Sequence, residues 1–401
     1  MRRAPRPWHF FFLILPYGAS FGYVSVALPF LAKERGVPVD AIAAVIAMAY
    51  VPHVYKPLWA PVVDATFGRK TWYAIAAPLV AIGTFVSAAM PVGTGTLPAL
   101  TAAVVTTQLG LSLLGMACEG LLGRGIPAAR KGAASAWFQA GAFFGSGVGG
   151  GAALELATRE GGPKTGLMLG AAFLACAFPL VLFDEPEDAQ RTRVREALRT
   201  LARDLWGLLR SRSGLTALVL CLSPIGSGAA GNLFSAISDE WGASRATVAL
   251  VTGVLGGAAS AAGAAAAALV VDRLDRRLAY GLAGALTAAT GLAMALAPRT
   301  PGAYVAFTLV YQAFNGLAFS AFAAFAFETI GGGAVVTKYN VLASLLNVSI
   351  SYATRVDGRA HVRWGGGGVL VTDAAMTGAG LALLAAISAP RFLEWARLRR
   401  R

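Results

Sequence analysis

The sequence has 401 residues, of which 56% are hydrophobic and only 13% charged, and its mean hydropathy is +0.62. Soluble domains of ordinary composition are much less apolar, so this composition indicates an integral membrane protein. The formal net charge of +14 would suggest nucleic-acid binding in a soluble chain, but here the basic residues lie in the loops between apolar segments. We therefore expect a lipid bilayer, and not a nucleic acid, as the partner.

Few residues are available for enzyme or metal chemistry. The three cysteines all lie in apolar runs, and the three histidines are far apart, so neither a disulfide framework nor a zinc pattern is present. The sequence also has no Walker A motif, no metalloprotease motif and no nucleophile elbow. We predict that the chain is not an enzyme and has no cofactor and no bound metal.

Apolar windows of about 20 residues predict an all-α membrane protein with twelve transmembrane helices, because the windows show no period of two. The predicted helices are residues 8–31, 40–63, 72–91, 97–121, 132–156, 165–183, 213–236, 245–271, 278–298, 302–327, 336–354 and 366–389. Six lie in each half of the chain, which indicates two six-helix pseudo-repeats.

This pattern divides the chain into four segments. We predict a six-helix bundle at 1–185, a linker at 186–212, a second six-helix bundle at 213–389 and a basic cytoplasmic tail at 390–401. In the linker, apolar residues recur at helical spacing between arginines, at Val194, Leu198, Leu201, Leu205 and Leu208. This spacing favours an amphipathic helix on the membrane surface, and a charged tether is the alternative.

The distribution of basic residues predicts the orientation in the membrane. Most of the 34 Lys and Arg residues lie on the side of the two termini, so we expect both termini in the cytoplasm, in a bacterial inner membrane. One predicted outer loop, "TRVDGRAHVRW", is an exception, since it contains Arg355, Arg359 and Arg363. We interpret it as a solvated loop, with attraction of anionic solutes as the alternative.

Charged residues follow the second predicted helix and again the eighth. The two groups are Asp64, Gly68, Arg69 and Lys70 in the first half, and Asp272, Arg273 and Arg276 in the second. An acid and a basic pair between helix ends can form a contact in one conformation and break it in another. We predict a cytoplasmic conformational latch, and membrane anchoring is the alternative for Arg69 and Lys70.

Three stretches carry a resemblance to known transporters. The Asp64–Lys70 loop resembles the signature between helices 2 and 3 of the major facilitator superfamily. The longer run "YKPLWAPVVDATFGRKTW" resembles the AmpG-type muropeptide permeases and the related acetyl-CoA transporters. "TKYNVLASLLN" is similar to the opening of their eleventh helix, and "LPYGASFG" to their first. The resemblance implies a secondary transporter that takes up an anionic, sugar-peptide or acyl-nucleotide-like solute with protons by alternating access. We expect it to be a monomer.

Lys56 is the strongest candidate for binding that solute. It lies eight residues before Asp64, so its backbone is roughly 12 Å from the cytoplasmic end of its helix. Its side chain leans toward the middle of the membrane, where a cation suits a carboxylate or phosphate; snorkelling to the surface is the alternative. His53 shares its face. On depth alone, Gln139, Asn232 and Asn315 are further cavity candidates, although such amides also join helices.

Three acidic residues in or near the predicted helices are candidates for proton coupling, namely Glu119, Glu328 and Asp373. A carboxyl group in a dry cavity is readily neutralised by a proton. For Glu119, pairing with Arg124 at the membrane surface is an equal alternative. We also expect Gly141, Gly145 and Gly149 to form a smooth packing face on the fifth helix, with the eighth helix as its partner.

These observations favour a small-molecule secondary transporter driven by protons. Two alternatives remain open at this point: an exporter of drugs or metabolites with the same fold, and a membrane sensor or scaffold that transports nothing. The charged loops after both the second and the eighth helix favour the transporter, because a scaffold has no need of matching latches.

Overall fold

The computed structural model of the chain describes residues 5–127, 130–183, 194–271, 273–330 and 335–398. Every regular element in these ranges is a helix. Asp272, one of the predicted latch residues, lies outside them. The side chains of Asp64, Arg124 and Glu328 are likewise outside the described part, so their predicted contacts remain predictions.

The first half of the chain folds into six helices. They are α1 at His9–Glu34, α2 at Val39–Val54 and Lys56–Ala65, α3 at Arg69–Ala89, α4 at Leu97–Gly125, α5 at Lys131–Arg159 and α6 at Gly162–Leu182. A linker helix, α7 at Val194–Arg210, follows. It lies within the segment where the leucine spacing predicts an amphipathic helix.

The second half begins with α8 at Arg212–Leu222, which continues into short 3-10 turns at Ala229–Leu233 and Ser238–Trp241. It then contains α9 at 245–271, α10 at Arg276–Leu296, α11 at Pro301–Ile330, α12 at 335–364 and α13 at 366–398. Helices α1 and α9 each include a π-helical segment, at Tyr23–Ala27 and Ala249–Leu255.

Eight helices in the described part are long and apolar enough to cross a membrane, or nine if the two pieces of α2 count as one span. One of the eight, Asn340–Ile387, contains the non-helical Gly365, which separates α12 from α13. Helices α5 and α8 are not among them. Glycines lower the hydropathy of α5, and α8 stops being helical at Leu222.

The prediction of an outer loop at "TRVDGRAHVRW" is wrong. Its residues are helical and extend α12 to residue 364, where Gly365 (φ 61°) makes the turn into α13. The three arginines at positions 355, 359 and 363 are spaced by four residues, so they form one exposed stripe along the helix. The charges of these arginines lower the mean hydropathy of the segment. The average does not show that the opposite face of the helix is buried.

The seventh predicted span, 213–236, is also not a continuous helix. Its backbone breaks after Leu222, and Gly226 and Gly228 adopt left-handed conformations that favour glycine. Carbonyl groups freed by the break are bonded by neighbouring helices: Tyr280 donates to Ile225 O at 2.7 Å and Asn315 donates to Gly226 O at 3.3 Å. An irregular backbone at membrane depth is tolerated where protein groups satisfy it in this way.

Helix α2 bends by 42° at Tyr55, between its two pieces. Pro52 and Pro57 flank the bend, and each lacks the N–H that would continue the helical hydrogen-bond ladder. Lys56 is the first residue after the bend. The kink therefore sets the direction in which the lysine leaves the helix.

Two sides of the molecule are distinguished by its ends. The proximal side is the one on which α1 begins and α2 ends. The distal side is the one that contains the turn between α1 and α2 and the turn between α12 and α13. On the distal side the halves are joined, since Ser235 donates to Ser25 O, Ser351 donates to Ala47 O at 2.8 Å, and Lys33 pairs with Asp239 at 3.5 Å.

Helix α5 has two glycine faces. Gly141, Gly145 and Gly149 pack against the α1 backbone, within the first half. Gly147 and Gly151 pack against α9: a Cβ on Gly147 would lie 2.9 Å from Gly253 O. The predicted α9 partner is thus present, but it contacts a different row of glycines from the one expected.

The glycine contacts between α5 and α9 lie from the middle of α5 toward its distal end. They run from Gly151 and Ala249 through Gly147 and Gly253 to Phe143 and Gly257. Nearer the proximal side, the α2 piece Lys56–Ala65 and the linker helix α7 both contact the α12–α13 segment, so the described parts of the two halves also meet there.

Candidate functional site

Lys56 and Glu119 form an ion pair, with Nζ and Oε1 2.7 Å apart. Lys56 lies just after the bend in α2, and Glu119 lies on α4. On the same face of α4 as Glu119, Gly115 contacts α1 and Gln108 contacts α2. The lysine side chain is 16% exposed and the glutamate 42%. The structure thus joins a predicted substrate-binding residue to a predicted proton-coupling residue in one pair, and gives Glu119 a partner other than Arg124.

His53 lies one turn before Lys56 and is buried. Its Nε2 is 3.0 Å from Gln108 Oε1 and its Nδ1 is 3.5 Å from the Tyr17 hydroxyl. The ring of Phe21 packs on it, with centroids 5.0 Å apart. His53 therefore ties α2 to α1 and α4, and so positions the segment that carries Lys56.

Asn232 lies in the broken part of α8 and links the two halves. Its Oδ1 accepts from the Tyr50 hydroxyl on α2 at 3.3 Å, and its amide donates to Thr354 Oγ1 on α12 at 3.1 Å. Tyr50 also packs against Phe21, which packs against His53. A polar and aromatic path therefore connects the Lys56 region to the second half.

The other two amide candidates have different surroundings. Asn315 on α11 donates to Gly226 O, so its amide supports the break in α8. Gln139 on α5 is exposed. It lies one helical turn before Phe143, on the same face of α5 that contacts α9. It therefore lies proximal to the glycine contacts between α5 and α9.

The described latch residues lie at the proximal ends of α3 and α10. Arg69 is buried against Gly120 of α4, and Lys70 donates to Phe183 O at 2.6 Å, which ties α3 to the end of α6. Gly68 is the extended residue before α3. These contacts are all within the first half.

In the second half, Arg273 and Arg276 are exposed. Asp275, which the sequence did not single out, caps α10 by accepting from the backbone amides of Arg277 and Leu278. The described part of this loop therefore shows a helix cap.

Asp373 is buried on α13 and accepts from the Tyr311 hydroxyl at 2.9 Å. Asp357 on α12 is fully buried as well. Sequence reasoning missed Asp357 because it assigned this segment to a loop. The four-residue spacing of the arginines around it was a helical signal that could have revealed it.

Glu240 anchors the distal end of the second half. It accepts from the Gly366 amide at 2.7 Å and from His361 Nε2 at 2.9 Å, and lies 3.5 Å from Arg299. Burial raises the pKa of Glu240, but these hydrogen bonds and the arginine charge outweigh burial and hold that pKa below its usual value. Arg299 also stacks over Trp241, 3.8 Å from the ring centroid.

The described helices fall into two halves that meet around a polar path, an arrangement found in a class of membrane transporters. The sequence matches the Major Facilitator Superfamily over residues 10–353, and the chain belongs to this superfamily. Membership confirms that it is a multi-pass membrane transporter and not an enzyme. It also supports the twelve spans predicted from the sequence. A search of curated proteins finds no match.

Solved structures of several transporters share the fold. A D-xylose–proton symporter has a TM-score of 0.70 at 16% identity, with 94% of this chain and 96% of that one covered. The nucleoside transporter NupG has a TM-score of 0.71 at 12% identity, over 95% and 98%. A POT family transporter in complex with 5-aminolevulinic acid has a TM-score of 0.73 at 10% identity, over 96% of each chain. At these identities the likeness establishes the fold alone.

Proposed function

We propose that this transporter takes up an anionic solute together with protons, by alternating access between the two halves. The observation that carries the proposal is the Lys56–Glu119 pair, 2.7 Å long, on the helices α2 and α4. A lysine within a membrane helix is costly unless it has a partner or a function. Here its partner is a carboxylate that a proton can neutralise.

The pair couples the two ligands through competition for Lys56. While Glu119 is ionised, it occupies the lysine and disfavours an incoming anion. When a proton binds a Glu119 oxygen, the ion pair loses its attraction, and the ammonium group is free to bind a carboxylate or phosphate. Proton and anion therefore bind together more favourably than either alone, which is the requirement for symport.

The orientation follows from the basic residues. With both termini in the cytoplasm of a bacterial inner membrane, the proximal side is cytoplasmic. Arg69 and Lys70, with Asp64 and Gly68, then form the cytoplasmic latch of the first half, and Asp272, Arg273 and Arg276 that of the second. We place Gln139, which is exposed on the α5 row that meets α9, on the path of a released solute.

The proposed solute class rests on two supports. Lys56 requires an anionic group, and the run around it resembles that of AmpG-type permeases, which implies a sugar-peptide or acyl-nucleotide-like compound. The fold is shared with a protein whose name includes proton symport. We propose Lys56 and His53 as the centre of the binding region, with Asn232 and Asn315 at its border with the second half, and a monomer as the working unit.

The test is uptake into proteoliposomes under an imposed pH gradient. The probes are radiolabelled acidic peptides, amino-sugar peptides and an acyl-coenzyme A. We expect gradient-driven uptake of an anionic member of this set by the wild type. Lys56→Met should abolish uptake. Glu119→Gln should retain exchange of solute across the membrane but lose the stimulation by the gradient, because it imitates the protonated residue.

The matched control is Lys164→Met, which breaks the exposed pair between Lys164 of α6 and Glu160, the residue after α5, and should leave uptake unchanged. Uptake only of neutral solutes, or no gradient-dependent flux at all, would overturn the proposal. Flux in the outward direction alone would instead indicate an exporter.

A further inference from the structure

A second acidic site lies in the other half of the molecule, between α12 and α13. Asp357 precedes the turn residue Gly365 by eight positions, and Asp373 follows it by eight. Because the turn reverses the chain between two helices, equal spacing places both residues at the same depth, about 12 Å from the distal end. Both are buried, with 0% and 3% exposure.

Three of the four carboxylate oxygens in this pair have no hydrogen-bond partner among the described residues. They are both oxygens of Asp357 and Oδ1 of Asp373; Oδ2 of Asp373 accepts from Tyr311 of α11. The two carboxyl groups also interact electrostatically.

No described basic side chain neutralises the pair. On α12, Arg355 and Arg359 are exposed, and His361, one turn distal, is bonded to Glu240 of the α8 segment. On the α2 side, the half-buried Asp40 lies beside Gly358. From α10, Gly291 approaches α13 at Leu370 O. The groups that face the pair are therefore neutral or acidic.

Two ionised carboxylates in such a place cost many kcal/mol, so a buried pair without a cation takes up a proton. The Tyr311 hydroxyl stabilises the ionised form of Asp373 by donating to it. The proton therefore belongs on Asp357, whose oxygens accept no hydrogen bond.

We propose that Asp357, paired with Asp373 and Tyr311, is a proton-binding site of the second half, loaded in this conformation and separate from Lys56–Glu119. The proton binds one oxygen of Asp357 and leaves as that carboxyl is hydrated. This site goes beyond the proposed function, because it depends on the buried geometry and not on the solute.

Release of the proton is linked to the distal seal. Gly358, the residue after Asp357, is so close to α2 that a Cβ there would lie 2.3 Å from Ala43 Cβ. Opening the distal side separates α12 from α2 and admits water beside Asp357. The proton then exchanges with the distal compartment.

The test is infrared difference spectroscopy of the full-length protein in lipid bilayers, between H₂O and D₂O at neutral pH. A protonated buried carboxyl gives a carbonyl stretching band that shifts on deuteration. We expect this band in the wild type and its loss in Asp357→Asn. Asp357→Glu should keep the band at a shifted position, and Asp373→Asn and Tyr311→Phe should move it without removing it.

The control is Asp40→Asn, which changes a half-buried carboxyl next to the same contact and should leave the band as it is. A wild type without the band, or a band that survives in Asp357→Asn, would overturn the proposal. Loss of the wild-type band on adding Na⁺ at constant pH would also overturn it, in favour of a metal-cation site. Because no solute is used, failure of the uptake experiment does not affect this result.

Discussion

At the scale of single residues, Lys56 shows how a charge is held inside an apolar helix. The kink at Tyr55 directs it to α4, and Glu119 provides its counter-charge at 2.7 Å. His53, one turn earlier, is fixed by Gln108 and Tyr17, so the backbone that carries Lys56 is restrained. The pair combines a rigid support with a bond that a single proton weakens.

This arrangement predicts a modest coupling energy in the resting protein. In a double-mutant cycle with Lys56→Met and Glu119→Gln, we expect an interaction of about 0.2–1 kcal/mol, because Glu119 is partly exposed and solvent screens the pair. The measurement is the unfolding midpoint of the purified protein at neutral pH and at a pH low enough to protonate glutamate. The coupling should vanish at low pH, and a coupling independent of pH would contradict the role of Glu119.

Sequence alone identified Lys56 and Glu119 separately, since an ionisable residue in an apolar run is conspicuous. It did not reveal that they meet, because the 42° bend of α2 decides the contact. It missed Asp357, since the arginines at 355, 359 and 363 made the segment look like a loop. An average of hydropathy over all residues of a segment does not show that one face of a helix is buried and the other exposed.

At the scale of elements, α5 is the helix on which both packing within the first half and the seal to the second depend. Its glycines let the backbones of α1 and α9 approach on two different faces. The sequence correctly predicted close packing and the partner α9. The row that meets α9 could not be assigned, because several glycine rows on α5 have suitable spacing.

A side chain at the α5–α9 contact should therefore open the distal side. Gly147→Val places a Cβ within about 3 Å of the α9 backbone, and such overpacking costs about 1–3 kcal/mol. We expect the distal-open population to rise about 5-fold or more. The measurement is the distance between spin labels on Glu34→Cys and Gly302→Cys in a variant without native cysteines.

Gly378→Val on α13 is the matched control, because nothing lies within 4 Å of a Cβ there. It should leave the label distance as in the parent protein. An equal response of the two variants would show that the α5–α9 contact does not hold the seal.

The distal cluster at Glu240 predicts a pH-dependent contribution to stability. The folded-state pKa of Glu240 is below its usual value. The cluster therefore stabilises the fold at pH values above the ordinary carboxyl pKa of about 4, and loses this stabilisation as pH falls through the folded-state pKa of Glu240. Melting temperature measured from pH 7 to pH 3 should fall less steeply in Glu240→Gln than in the wild type. Parallel curves for the two proteins would count against the cluster.

At the scale of the whole molecule, the two halves are joined by many small contacts. Hydrogen bonds from Ser235 and Ser351, the Tyr50–Asn232 bond and the glycine contacts of α5 all lie distally or near the middle. Each is small, and several involve a single side chain with a backbone carbonyl. Many weak contacts of this kind suit a seal that must open repeatedly.

The Lys33–Asp239 pair at the distal rim is the most accessible of these contacts. Lys33→Glu should raise the distal-open population by about 1.4- to 5-fold, which corresponds to the 0.2–1 kcal/mol of an exposed ion pair. The combined variant with Asp239→Lys should restore the starting population. The same spin-label distance measures the distal-open population of both variants. If the combined variant does not restore the starting population, the effect of Lys33→Glu has a cause other than charge.

The glycine content of α5 also bears on how the protein is made. Because α5 is not among the described helices that are long and apolar enough to cross a membrane, we expect its place in the bilayer to depend on neighbouring helices. Its contact along α1, made through three glycines, supplies such a partner from the same half. We therefore expect the glycines that bring α5 close to α1 and α9 also to make α5 depend on these neighbours while the protein assembles.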